Sequence, residues 1–178
     1  MTKTARRLIA DLPTLASLDG TELVTVEING RKYQVPLIDI GGLPRTGTTE
    51  LTLTDLTNLA TLSTADGKWS KVGPEVRLYG TLQSSSLGSV SGAIYIGGLP
   101  FAASTGSWSY GSLVVGRATG LAITAGQVVT GYINTTVSAN HMGLQLWDSA
   151  AGTTAMQASE WSADGRIFFS LTYLTDED

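Results

Sequence analysis

Two short runs of alternating apolar and polar residues predict a β-hairpin near the start of the chain. Residues 23–28 and 31–37 flank Asn29-Gly30, the dipeptide that best accepts the two positive φ angles of a type I′ turn. A two-residue loop fixes the register of the two strands and places four apolar side chains on one face. The predicted pairs are Val26 with Tyr33 and Val24 with Val35.

From Thr48 onward the hydrophobic pattern has a period of two, as expected for half-buried strands. Short strands are predicted at Val76–Leu82, 93–96, 107–115, 126–136, 142–147 and 166–174. The turn signals between them include Asp66-Gly67, Ser84-Ser85-Ser86, Gly116 and Asp164-Gly165. Seven or eight strands at this spacing predict an all-β fold, a jelly-roll-like antiparallel β-sandwich.

The stretch from Thr49 to Leu62 is ambiguous between strand and helix. Leucines recur every three residues in it, which fits a helix, whereas its high threonine content lowers helix propensity. Both interpretations stay open at this point.

The positions of glycine and proline divide the chain into two predicted parts. Glycines and Pro44 in residues 41–47 are typical of a linker. Residues 1–47, with the hairpin at 23–37, are therefore interpreted as an N-terminal attachment arm, and residues 48–178 as the β-module.

Charge is scarce and unevenly spread along the 178 residues. Charged residues make up 15% of the chain, and Arg117 is the one formal charge between Leu78 and Trp147. With a net charge of −4 and no cysteine, the chain fits neither a basic nucleic-acid binder nor a disulfide-stapled domain. A hydrophobic content of 42% argues against disorder. The uncharged middle favours burial between subunits of an oligomer.

The first eleven residues lack the apolar core of a secretory signal, because only three apolar residues follow Arg6 and Arg7 before Asp11. No apolar run reaches the length of a membrane-spanning helix. We therefore expect synthesis in a cytoplasm and no membrane insertion. The N-terminal cations are interpreted either as a solvated tail or as part of an arm that orders on a partner.

Few residues of the chain are candidates for catalysis or metal binding. His141 is the only histidine, so it is expected to be an ordinary loop residue, although three copies in a trimer could bind an ion. Asp148 and Asp164 are interpreted as turn residues, and Glu160 is the least explained acid. We expect no enzyme and no cofactor.

Ligand contact is assigned to aromatic residues on one strand face. Trp108 and Tyr110 lie two positions apart and share a face, and they form the first candidate for sugar contact. His141 is added as a third candidate contact.

Several segments resemble the β-module found in tail fibres and tailspikes of tailed bacteriophages. The segments are Gly67–Gly73, Glu75–Leu82, Ile94–Phe101 with its GLPF exit, and Arg166–Tyr173. The segment from Asp11 to Val24 is similar to the N-terminal virion-attachment segments of such fibres.

This resemblance implies a homotrimer, a jelly-roll-like fold and a place on a virion. Residues 1–47 would bind other virion proteins, with anchoring expected at Arg6, Arg7, Leu8, Leu12 and Leu15. The module would attach to a glycan or protein of the host surface. The short linker departs from the long shaft of typical fibres, so a capsid decoration protein that clamps capsid subunits is the alternative. A third hypothesis is a small polysaccharide-degrading module that uses Glu160.

Overall fold

The computed structural model describes residues 23–28, 30–36, 44–106, 111–150 and 152–177. The chain divides into two compact units, residues 1–43 and 44–178. In the first unit, strands β1 (Leu23–Ile28) and β2 (Arg31–Pro36) form an antiparallel hairpin. Val26 pairs with Tyr33 and Val24 with Val35, which confirms the predicted register.

The second unit is a single ten-stranded antiparallel sheet. Its strands are β3 (Arg45–Glu50), β4 (Thr52–Thr54), β5 (Thr61–Val72), β6 (Glu75–Ser86), β7 (Tyr95–Gly97), β8 (Ser112–Leu121), β9 (Val128–Tyr132), β10 (Met142–Asp148), β11 (Gly152–Ala155) and β12 (Trp161–Leu174). The strand order is β3-β5-β6-β12-β8-β9-β10-β7-β4, and β11 pairs with the outer part of β10. This all-β architecture confirms the predicted fold class.

The sheet nearly closes into a barrel because β3 and β4 are two parts of one stretch of chain. β3 pairs with β5 at one end of the strand order, and β4 pairs with β7 at the other end. Leu51 lies between them, and its N–H donates to the Ala65 carbonyl at 2.9 Å. Closure removes the free edges that an open sheet would expose.

The ambiguous stretch of residues 49–62 therefore adopts strand and turn rather than helix. A turn at Asp55–Asn58 links β4 to β5, and the Asp55 carboxylate accepts the N–H groups of Thr57 and Asn58 at 2.9 and 2.6 Å. The same carboxylate accepts the Ser91 N–H at 3.0 Å and tethers a second loop. The side-chain amide of Asn58, which also donates to this carboxylate at 3.0 Å, and these backbone hydrogen bonds hold the pKa of Asp55 well below its usual range.

Alternating side chains of the strands fill the interior. The fully buried residues include Leu53, Leu78, Leu82, Ile96, Ile133, Met142, Leu144 and Trp161. The indole of Trp161 donates to the Ser84 hydroxyl at 2.9 Å, so the one polar atom of this buried ring has a partner. The core packing and this bond join β6 to the start of β12.

Two predicted turns were wrong. Asp66-Gly67 lies inside β5, and Asp164-Gly165 lies inside β12. A Cβ on Gly67 would lie 2.7 Å from the Thr49 methyl group, and one on Gly165 would overlap the Trp161 ring. These glycines permit close packing, so tertiary contact outweighs their turn propensity.

Two other turn signals and the linker also differ from prediction. Ser84–Ser86 end β6, and Gly116 lies within β8. The predicted linker of residues 41–47 overlaps β3, since Arg45–Gly47 pair with Lys71–Trp69. No helix in the described residues is both long and apolar enough to cross a bilayer.

The closure of the sheet can be tested at Gly98. This residue has a φ of +82°, and a Cβ there would overlap the Glu50 carbonyl oxygen. Gly98→Ala should lower the free energy of unfolding by more than about 3 kcal/mol, because strain and backbone overlap add. Gly126→Ala is the matched control, with a φ of +93° and no atom within 4 Å of the added Cβ.

The control should lose only about 1 kcal/mol, from the backbone conformation alone. Urea unfolding of both variants measures the difference. Equal losses in the two variants would contradict the close contact of Gly98 with β3.

Candidate functional site

Several predicted site residues lie outside the described residues. They are the sugar-contact candidates Trp108 and Tyr110, and the anchoring candidates Arg6, Arg7, Leu8, Leu12 and Leu15. Their assigned roles stay predictions.

His141 lies in the loop that precedes β10 and is half-buried. Its Nδ1 is 2.8 Å from the Ser138 hydroxyl, and its ring edge fills the space beside Gly97, 2.9 Å from where a Cβ would stand. Burial lowers the pKa of this imidazole below 6.5. These contacts give His141 a structural role in its loop, and its predicted ligand contact stays a prediction.

Each of the three acids considered for catalysis lies in a turn or strand, beside backbone groups. Glu160 accepts the Gln157 N–H at 2.7 Å and completes the capping box of a 3-10 turn at Ala158–Glu160. Asp148 accepts the Ala150 N–H at 2.9 Å in a turn. Asp164 lies on β12 beside Gly120 of β8. Among the described residues, no three His, Asp or Glu side chains group as metal ligands would.

The solvent-facing side of β5, β6 and β12 carries a surface that sequence analysis missed. Cross-strand pairing aligns Lys68, Tyr79 and Ser170 in one row. It aligns Asp66, Thr81 and Phe168 in the next row. Tyr79 is 58% exposed at the centre of this surface. An open hollow of about 370 Å³ lies over Asp66, Lys68, Tyr79, Thr81 and Phe168, and neither Ser170 nor Arg166 lines it.

Two arginines flank Phe168 in this surface. The Arg166 guanidinium carbon lies 4.3 Å from the centre of the Phe168 ring, and that of Arg117 lies 6.0 Å from it. The Nε of Arg166 and the hydroxyl of Thr81 are buried without a hydrogen-bond partner. Lys68, Tyr79, Thr81, Arg166 and Phe168 are called the cation–aromatic patch below.

A second surface, made of exposed apolar side chains, lies on β8, β9 and β10. Val114, Val128 and Trp147 point outward and are 64%, 55% and 46% exposed. Val128 pairs directly with Trp147, and Val114 with Thr130, so these side chains belong to one continuous surface. Val114, Val128, Thr130 and Trp147 define the neutral face.

A second group of cations and rings stands at one end of the barrel. Arg45 and Lys71 are cross-strand partners, and each lies over the Phe101 ring, at 5.7 and 5.5 Å. Trp69 meets the same ring edge-on at 5.0 Å. The Tyr173 hydroxyl donates to the Phe101 carbonyl at 2.9 Å, and burial raises the pKa of Tyr173. Phe101 is thus held from both its ring and its backbone, which suits a structural role at this end.

The histidine environment gives a pH prediction. Because folding lowers the pKa of His141, its contribution to stability is present above pH 6.5 and is lost as the pH falls through the folded-state value. An NMR titration of this single histidine should give a midpoint below 6.5, and His141→Gln should remove its share of the pH slope of stability. A midpoint at or above 6.5 would contradict the described burial.

The comparisons with known proteins support a shared fold and assign no family. No known family profile matches the chain, and no curated protein matches it. Among solved structures, the crystal structure of the Dettilon tailspike protein (gp208) is similar, with a TM-score of 0.62 at 17% identity. The match covers 73% of this chain and 23% of the tailspike chain. The chain therefore shares a fold with about a quarter of the length of a tailspike.

Proposed function

We propose that this chain is a non-enzymatic structural protein of a tailed-phage virion. It acts as a short trimeric fibre or spike whose β-module attaches to a glycan or protein of the host surface. The observation that carries the proposal is the fold that it shares with part of a tailspike protein. The sequence segments that resemble phage fibre modules agree with this origin.

The surface of the second unit supports attachment rather than catalysis. Its hollow on the β5–β6–β12 side is shallow and open, and it contains an exposed tyrosine beside cations. Aromatic rings and long cationic side chains suit reversible binding of a large partner. The carboxylate of Glu160, the acid of the competing enzyme hypothesis, is engaged by a backbone N–H.

The neutral face supports assembly with other copies of the chain. Val114, Val128 and Trp147 are exposed together; β9 and the outward positions of β10 carry no charge, and the charge of β8, Arg117, lies beside Phe168. An uncharged surface of this kind can be buried against other copies without burying an unpaired charge, and three copies of it can meet around a threefold axis. We propose that copies cover this face in a homotrimer, with residues 1–47 binding other virion proteins.

Capsid decoration is the alternative, and one observation favours it. β2 ends at Pro36 and β3 begins at Arg45, so eight residues of sequence separate them, far fewer than the long shaft of typical fibres would need. A linker of this length limits how far the module can reach from the surface that its arm binds. Such a protein would stabilise capsid subunits from outside.

Two experiments distinguish host attachment from capsid decoration. One locates the protein on the virion, and the other tests whether the purified protein blocks phage adsorption. Gold-labelled antibodies against the full chain should mark the tail of intact virions, because attachment requires a position that meets the host first. Saturating purified protein should also reduce adsorption of the phage at least ten-fold by occupying the receptor.

Three results would contradict the attachment proposal. Labelling of the head alone would favour capsid decoration. Unchanged adsorption at saturation would remove host attachment. Shortening of host polysaccharide by the protein, lost in Glu160→Gln, would establish the enzyme hypothesis instead.

A further inference from the structure

We infer that the cation–aromatic patch binds a carboxylate-bearing sugar unit of an acidic polysaccharide. The inference rests on the proposed host-surface function and adds the ligand class and the residues. It differs from the sugar-contact pair expected from sequence, and it assigns the ligand a negative charge.

The dimensions of the patch suit a sugar rather than a larger interface. Neighbouring strands lie about 4.8 Å apart, so the rows from β5 through β6 to β12 span roughly 10 Å. The hollow of about 370 Å³ over them is open to solvent, so a sugar would lie on the patch and would not be enclosed by it. Tyr79 offers an exposed ring on which the C–H groups of a pyranose can pack.

No cation of the patch forms an ion pair within the described residues. The one ion pair that those residues form joins Arg77 to Glu75, farther along β6. Arg166 and Arg117 both approach Phe168, and neither has a carboxylate within 4 Å in this part of the chain. The planar guanidinium of Arg166 can bind a carboxylate through two parallel hydrogen bonds.

Two unpaired polar atoms give the patch unused hydrogen-bonding capacity. The Nε of Arg166 is a donor, and the Thr81 hydroxyl can donate and accept. Both atoms are shielded from solvent, so a ligand reaches them only when the side chain of Arg166 or Thr81 turns toward it, and the new hydrogen bond then satisfies a polar atom that folding leaves unpaired. The carboxylate and ring hydroxyls of a uronic acid provide both kinds of group.

Two acidic side chains near the patch disfavour binding of densely charged polyanions such as nucleic acids. Asp66 lines the hollow beside Lys68, and Asp164 precedes Arg166 by two residues on β12. Such carboxylates accept hydrogen bonds from sugar hydroxyls and repel closely spaced phosphates. A ligand with one carboxylate among several hydroxyls fits this mixture better than a nucleic acid does.

The test compares two probes on the full chain. The first is a tetrasaccharide of alternating glucuronic acid and glucose, and the second is the same tetrasaccharide with each carboxyl reduced to an alcohol. NMR titration should shift the amide signals of Tyr79, Thr81 and Phe168 with the acidic probe. The reduced probe should bind at least ten-fold more weakly, because it lacks the charge-assisted bonds.

Arg166→Gln should weaken binding of the acidic probe about ten-fold, whereas the charge-matched control Arg77→Gln on the same sheet should change it less than two-fold. Tyr79→Ser alters an exposed side chain and provides a second variant if Arg166→Gln impairs folding. It should also weaken binding at least several-fold. Inorganic phosphate tests general anion binding and should cause no comparable shifts.

Other results would overturn either the inference or the proposed function. Equal affinity for both probes would remove the role of the carboxylate. Shifts caused equally by phosphate, or binding that survives both Arg166→Gln and Tyr79→Ser, would reduce the patch to a general cationic surface. If the protein binds the acidic probe but does not reduce phage adsorption, the sugar site stands and the proposed attachment function is removed. If the protein reduces phage adsorption but does not bind the acidic probe, the attachment function stands and the sugar site is removed.

Discussion

The pairing of one stretch of chain with both ends of the sheet is the constraint on which the second unit depends. β3 and β4 are separated by Leu51 alone, and they pair with β5 and β7 respectively. Leu51 is fully buried, and the backbone of Gly98 passes against Glu50 so closely that no side chain fits. The Thr49 hydroxyl donates to the Gly98 carbonyl at 2.7 Å and secures the same junction. Without this junction the sheet would have two open edges.

Closure also determines how charge is distributed over the surface. The outward positions of β5 and β6 carry Asp66, Lys68, Glu75 and Arg77, whereas β9 and β10 present Val128, Thr130 and Trp147. The uneven charge along the sequence thus becomes a difference between two sides of one barrel. One side has the composition of an interface between copies, and the other has that of a surface for a polar ligand.

Sequence patterns predicted the local structure well and the packing less well. Asn29-Gly30 fixed the hairpin register, and period-two alternation located β6, β10 and β12. Asp66-Gly67 and Asp164-Gly165 carry a turn signal, but the rings and methyl groups packed on the glycines come from distant strands that a local pattern does not contain. Of the leucines in residues 49–62, Leu53 is buried whereas Leu56 and Leu59 are exposed, so their three-residue spacing was misleading. The cation–aromatic patch requires the pairing of Thr81 with Phe168, a register set by the whole sheet.

The account of function depends most on assembly, because the proposed homotrimer must cover the neutral face and leave accessible the cation–aromatic patch, which adjoins that face through the Val114–Ser170 pair. Sedimentation equilibrium of the full chain at micromolar concentration tests this directly. A homotrimer predicts a species of roughly 56 kDa, three times the chain mass of 18.6 kDa. A single stable species of 18.6 kDa, with Val128 and Trp147 left in solvent, would contradict it.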